Sequence, residues 1–320
     1  MSDSARDWLP VATRQTLAAR AELMERLRVH FRERGILEVE TPLLSRAGSP
    51  ELHIESLEVP RAFPDRAPGW LIPSPEFHLK RLLASGSGDV FSVARVFRAG
   101  EYGRLHNVEF TLVEWYRLGA GLDELMDDIE ALLAALLPAA LLTHSPARIT
   151  YREAFLRHAG VDPFAASLGE LRDAARDGDE TDRDTLLDRI AVERVYPRLG
   201  DGRISLIHDF PASQASLARI RPGIPPVAER VEALVAGIEL VNGFVELADC
   251  HEQRRRFDEA RAVRTLAGRA TPADDERFLA ALEAGLPACA GAALGFDRLA
   301  MLAFGATSIA DVLAFPADRA

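Results

Sequence analysis

Residues 97–116, FRAGEYGRLHNVEFTLVEWY, place Arg98, Glu101, His106, Glu109, Phe110, Glu114 and Tyr116 in one short stretch. A guanidinium forks onto phosphate or carboxylate oxygens, an aromatic ring stacks on a base, and carboxylates take amines or a metal. An Arg near an aromatic ring with acids close by therefore suits a bound nucleotide. Two apolar runs, DVFSVARVF and VEFTLVEWY, flank a turn rich in Gly and charge. That pattern predicts an antiparallel hairpin with a polar tip. Alternation puts Glu114 and Tyr116 on one face. Charge at core-facing positions is costly unless it holds something. The competing reading is an exposed hairpin with solvated charges.

Two further segments weigh against that competing reading. GAALGFDRLAM, residues 291–301, predicts a strand running into a helix. Gly295 permits close approach of a ligand to the backbone, and Arg298 falls near the helix start, where anions are favoured. FRERGILEVETP, residues 31–42, predicts a helix end, a Gly stop, a short strand and a Pro.

Together the three segments resemble motifs 1, 2 and 3 of class II aminoacyl-tRNA synthetases in order and spacing. Pro42, then Arg98 with Glu101 and Phe110, then Gly295 with Arg298 carry the likeness. SPEFHLKRLL, HNVEFTLVEWY, GIELVNGFVELAD and SIADVLAFP are similar to the lysyl branch. A lysyl-tRNA synthetase carries an anticodon-binding barrel before motif 1. Here MSDSARDWLP and one helical segment precede it, too little for a barrel. The chain thus resembles the elongation factor P lysine ligases, paralogues of lysyl-tRNA synthetase that attach (R)-β-lysine to a lysine of elongation factor P.

The resemblance implies an α+β fold, a mostly antiparallel sheet flanked by helices. It is expected as a single catalytic domain over residues 1–320 with a helical insertion around 145–200 and no anticodon-binding domain. It also implies residue roles. Arg98 binds the α-phosphate and the substrate carboxylate. Arg298 clamps the γ-phosphate and stacks over adenine, with Phe110 on the other face. Ala99, Gly100, Glu101, His106, Asn107, Glu239, Leu240 and Gly295 complete an ATP site, with Glu101 accepting from the adenine amine. Ser74, Pro75, Glu76, Glu114, Tyr116, Glu246 and Ala293 surround the amino acid. Several acidic or phenolic groups converging on one cleft call for a cationic ligand.

Glu239 and Glu246 are the Mg²⁺ candidates, since Mg²⁺ takes only one or two carboxylates beside phosphate oxygens. Seven residues apart on a regular strand, they face opposite ways. A bulge marked by Asn242-Gly243 would bring both to one site, and a turn there with exposed acids is the alternative. Two departures from the lysyl pattern, Ala248 for Asn and Ala293 for Gly, suit an amine on the β carbon. Ala310 replaces a familiar Arg, and nothing explains it.

Composition limits the other readings. There are 38 Lys+Arg against 49 Asp+Glu, for a net charge of −11, which disfavours broad phosphate-backbone binding. No tRNA partner is expected. No apolar run is long enough for a bilayer, and the segment around 129–142, broken by Pro138, predicts a buried helix. Cys250 and Cys289 lack disulfide or metal spacing and are read as buried thiols in a cytoplasmic protein. Motif 1 implies a homodimer. The alternatives are a truncated lysyl-synthetase-like enzyme acting on α-lysine and a synthetase-like regulator without catalysis. A long strand is predicted near 231–247.

Overall fold

The computed structural model describes residues 8–52 and 54–320. Residues 1–7, read above as part of the short polar stretch before the first helix, lie outside the described residues. The chain separates into two compact units, one of residues 1–118, 248–287 and 293–320, the other of residues 119–247 and 288–292. Helices and a mainly antiparallel set of strands give the α+β class expected.

The first unit is organised on the predicted hairpin. Val90–Phe97 pairs antiparallel with Glu109–Leu118, with Ser92 opposite Glu114 and Val96 opposite Phe110. The short strand Leu37–Glu38 runs parallel to Val90–Phe97. Helix Arg14–Glu33 starts on the Thr13 side chain, which accepts from the Thr16 amide. It buries Leu23, Leu27 and Phe31, spaced to share one face. Phe31 stacks on Phe91 at 4.5 Å and tilts against Trp115 at 5.5 Å, which binds the helix to the hairpin. Helices Glu76–Ala84, Cys250–Leu266 and Glu276–Gly285 also belong here, with Phe77 stacked on Phe278 at 4.4 Å. Cys250 is half-buried as the first residue of its helix, whereas Cys289 is buried. The closing SIADV segment is a 3₁₀ turn, Ile309–Val312.

In the second unit, Ser205–Pro211 pairs antiparallel with Val227–Val235 and parallel with Ala147–Thr150. The long strand expected near 231–247 is in fact a hairpin, Val227–Val235 with Ile238–Val245. Its turn sits at Ala236 (φ 51°) and Gly237 (φ 73°), the paired positive φ of a two-residue I′ turn. Ala-Gly lacks the usual Asn-Gly mark, so the pattern reads as continuous. Asn242-Gly243 lies inside a strand, not in a turn.

The insertion contributes helices Tyr151–His158, Leu168–Ala175 and Arg183–Ile190. Thr150 with Glu153 and Ser167 with Glu170 form capping boxes at the first two. Their apolar faces share a buried cluster with Phe210, Ala228 and Leu234 of the strands. Helix Leu122–Leu136 buries Ile129, Leu132 and Leu133 and ends before Pro138, as predicted. No helix among the described residues is long and apolar enough to cross a membrane.

Gly243 allows close strand packing. A Cβ there would lie 2.6 Å from Ala292 Cβ and 2.8 Å from the Gly291 carbonyl oxygen, and the latter is backbone that cannot yield cheaply. Gly243→Ala should destabilise the protein by about 1–3 kcal/mol through overpacking. Denaturant unfolding checks this, and an unchanged midpoint would contradict it.

Candidate active site

The hairpin tip brings the motif 2 residues together. The Arg98 amide donates to the Val108 carbonyl at 2.9 Å, extending the pairing by one step before the loop. Gly100, with φ 77°, turns the chain there. The Arg98 guanidinium lies 5.1 Å from the Phe110 ring centre and 3.8 Å from Glu101 Oε1. Its Nε is buried and makes no hydrogen bond within the protein. The Ala99 amide is held by the Glu55 carbonyl at 2.8 Å.

Arg298 comes from helix Phe296–Ala303, where Gly295 is the N-cap with no side-chain cap. Its Nη2 lies 2.7 Å from His106 Nε2 and its Nε donates to the Leu105 carbonyl at 3.2 Å. A guanidinium has only donors, so His106 Nε2 must accept. Arg298 and His106 are thus brought together on the hairpin loop. Asn107 is buried, with Nδ2 donating to the Glu109 carbonyl at 2.7 Å and Oδ1 accepting the Ala317 amide at 2.9 Å. It ties the C-terminal segment to the hairpin.

A second set of residues, unremarked in the sequence, locks Arg298's helix in place. Asp297 is buried, accepts the Thr111 amide at 2.8 Å and pairs with Arg20. Arg20 also donates to Thr111 Oγ1 at 3.2 Å and lies 4.8 Å from the Phe296 ring. Ala293 packs with Phe110 against Ala94, Val96 and Leu112.

Of the residues expected around the substrate amine, several form a buried acid cluster. Glu114 is 2% exposed. Its Oε1 accepts from Ser74 Oγ at 2.5 Å and its Oε2 from Tyr116 OH at 3.1 Å. Ser74 Oγ in turn accepts the Glu76 amide at 3.0 Å, where Pro75 precedes the helix. Glu76 Oε1 pairs with Lys80 Nζ at 2.5 Å one helical turn on. Lys80, the only lysine in the chain, is fully buried, and the sequence pattern did not single it out. A compact ammonium suits this site better than a guanidinium fork. Burial, and then the nearby Glu76, push the Glu114 carboxyl up to about 8, against the pull of Ser74, Tyr116 and Lys80.

In the second unit, Glu239, Leu240, Asn242 and Glu246 sit on or just after strand Ile238–Val245. Ala233 pairs with Val241 but Leu234 with Glu239, so the strand carries one extra residue at Leu240. That bulge puts Glu239 on the face of Asn242, and alternation carries the same face on to Glu246. The bulge that Mg²⁺ binding would require is therefore present, two residues before the expected Asn-Gly. Among the described residues no group of three or more His, Cys, Asp or Glu stands ready for a metal. Two carboxylates suffice where phosphate oxygens supply the rest. Asp249, after Ala248, caps helix Cys250–Leu266 by accepting the His251 and Glu252 amides.

A family model described as "tRNA synthetases class II (D, K and N)" matches residues 4–319. The chain is 45% identical to a protein of Klebsiella pneumoniae named elongation factor P–(R)-β-lysine ligase, over the full length of both. Proteins of the same name from Salmonella typhi (45%) and Hamiltonella defensa (42%) match equally completely.

The raised Glu114 carboxyl has a consequence for binding. It is mostly protonated at pH 7, and an ammonium ligand requires it ionised. Affinity for a diamine acid should therefore rise from pH 6 to 8, with close to one proton released per ligand at pH 7. Calorimetry in buffers of different ionisation enthalpy measures that proton. Binding without release and with flat pH dependence would contradict the role. The folded state also holds this proton where the unfolded chain has lost it. Its stabilising contribution is therefore lost as pH climbs from 4.5 to about 8.

Proposed function

The chain belongs to the class II tRNA synthetases of the D, K and N group, within the family of elongation factor P–(R)-β-lysine ligases, and from that premise we propose its reaction. The carboxylate of (R)-β-lysine attacks the α-phosphorus of ATP, forming an acyl-adenylate and releasing pyrophosphate. The neutral ε-amine of a lysine on elongation factor P then attacks the acyl carbonyl. An amide forms and AMP departs with the bonding electrons. The observation that carries this reading is the buried Glu114 carboxyl group held by Ser74 and Tyr116, which we read as an amine socket inside a synthetase fold.

The residues divide the work. Arg98, with its partnerless buried Nε, takes the α-phosphate and the attacking carboxylate, offsetting the charge of two anions brought together. Phe110 supplies one face for adenine, and Arg298 supplies the other while clamping the terminal phosphate. Ala99, Gly100 and Glu101 follow the nucleotide along the loop, and Gly295 leaves room at the helix start. Glu239 and Glu246 would hold Mg²⁺, which supplies charge neutralisation on the phosphates. Glu76, already paired with Lys80, contributes to the field of the pocket more than as a lone ammonium partner. Leu240 supports the site as the buried bulge residue between Glu239 and Val241.

A homodimer and a cytoplasmic location accompany the reading, with no tRNA partner. Leu37 of the motif 1 strand is 56% exposed. A cleft of about 740 Å³ lined by Glu40, Thr41, Pro42 and Arg81 adjoins it in sequence, and Thr41 Oγ1 is buried there without a partner. A second copy packing on motif 1 would cover both.

Arg298→Ala should abolish β-lysine-dependent pyrophosphate exchange with little change in unfolding midpoint, a loss of several kcal/mol of transition-state stabilisation. Exchange at the wild-type rate in the folded variant would refute the role. Ala293→Gly should improve α-lysine activation relative to β-lysine by about 1–3 kcal/mol, the worth of one methyl in a pocket. The ratio of the two specificity constants reads this, and an unchanged ratio would move selectivity to Ala248.

A further inference from the structure

Helix Cys250–Leu266 carries a buried cation that the roles above do not use. Arg264, in its last turn, is 1% exposed. Its Nε donates to the Ala270 carbonyl at 2.8 Å. Its Nη1 donates to two carbonyls, those of Glu51 at 2.7 Å and Ile54 at 3.1 Å. Its Nη2 donates to Glu55 Oε2 at 2.9 Å. Four of the five guanidinium donors are thus met, three of them by residues 51–55.

A guanidinium buried this deeply is costly unless its donors are satisfied. The carbonyls need it equally. Among the described residues from 46 to 56 there is neither helix nor strand, so no ladder takes up their backbone groups. Arg269 adds a separate tether, donating to the Leu52 carbonyl at 2.7 Å. The clamp also reaches the site. Glu51 and Ile54, whose carbonyls meet Nη1, line a narrow cavity together with Ser74, Glu76 and Phe77. Glu55, the third residue held, accepts the Ala99 amide at 2.8 Å through its carbonyl, one residue from Arg98.

We propose that Arg264 is a positioning residue for the amino-acid substrate, fixing the backbone at Glu51 and Ile54 as the wall of the cavity beside Ser74 and Glu76. This rests on the ligase reading above and deepens it. The wall has no regular structure of its own, so the guanidinium sets its distance from Ser74 and Glu76. A loosened wall admits water beside the acids and holds a diamine acid less closely. The nucleotide side suffers less, because Arg98 keeps its own bond from its amide to the Val108 carbonyl. Binding of β-lysine therefore weakens before that of ATP.

Pyrophosphate exchange tests this, with KM for β-lysine and for ATP measured separately and unfolding midpoints beside them. Arg264→Lys keeps the charge but cannot span three carbonyls and Glu55. It should raise the KM for β-lysine by about 10- to 100-fold, the scale of a small misplacement, with the KM for ATP little changed. Glu55→Gln, a gentle variant that leaves all three carbonyl bonds in place, should raise the KM for β-lysine by about 3-fold, the worth of one half-exposed ion pair. Arg269→Ala, which frees only Leu52, should leave both constants near wild type. A lowered unfolding midpoint with both constants unchanged would make Arg264 merely structural and overturn the proposal. So would a rise confined to the KM for ATP, or a rise in Arg269→Ala equal to that in Arg264→Lys. Each of these leaves the ligase reading intact. Absence of β-lysine-dependent exchange by the wild-type protein would overturn the ligase reading itself, and this proposal with it.

Discussion

A carboxyl group buried to 2% exposure is the constraint on which the proposed amine pocket depends. Glu114 cannot stay ionised there on its own, because loss of water costs the charged form far more than two hydroxyl donors return. It holds a proton until a cation arrives. Glu76 would worsen the problem if it were bare, and Lys80 keeps it paired. Glu114, Glu76 and Lys80 together are then nearly neutral, and in the proposed reading an incoming ammonium gains its counter-charge when Glu114 releases a proton. A surface pair could not discriminate in this way, since solvent screening makes exposed ion pairs weak and permissive.

Such a pocket needs a rigid frame, and the first unit provides one. The Val90–Phe97 and Glu109–Leu118 pairing fixes Glu114 and Tyr116 on one face. Phe31 stacked on Phe91 binds the first helix to the hairpin. Asp297, between the Thr111 amide and Arg20, fastens the start of the Arg298 helix to the same strand. Buried acids with one partner removed are strongly destabilising, so these clamps hold their register firmly. The second unit reaches a comparable result through a bulge, which turns Glu239 onto the face of Asn242.

The sequence was most informative where periodicity and residue type agreed. Period-two alternation in VARVF and FTLVEWY set the hairpin and the face shared by Glu114 and Tyr116, and the structure has both. The motif spacing put Arg298 one turn into a helix after Gly295. It failed where a strong local mark was absent or misplaced. Ala236-Gly237 makes the I′ turn without Asn or Asp, while Asn242-Gly243, the stronger hairpin signature, lies within a strand. Lys80 and Arg264 went unread because a charged residue inside an amphipathic pattern looks solvated until its partners are known. Glu76 is four residues from Lys80, but burial of the pair is a tertiary fact. Asn107, expected on the nucleotide, also bonds the Glu109 carbonyl and the Ala317 amide, a partner 210 residues away that sequence spacing does not reveal.

The most direct test of the account is the mass of elongation factor P after incubation with the purified protein, ATP and either (R)-β-lysine or α-lysine. A parallel reaction contains tRNA in its place. The account predicts one β-lysyl group added to a single lysine of elongation factor P, dependent on ATP, with α-lysine a poor substitute and tRNA uncharged. Charging of tRNA, or an elongation factor P of unchanged mass beside active pyrophosphate exchange, would contradict it.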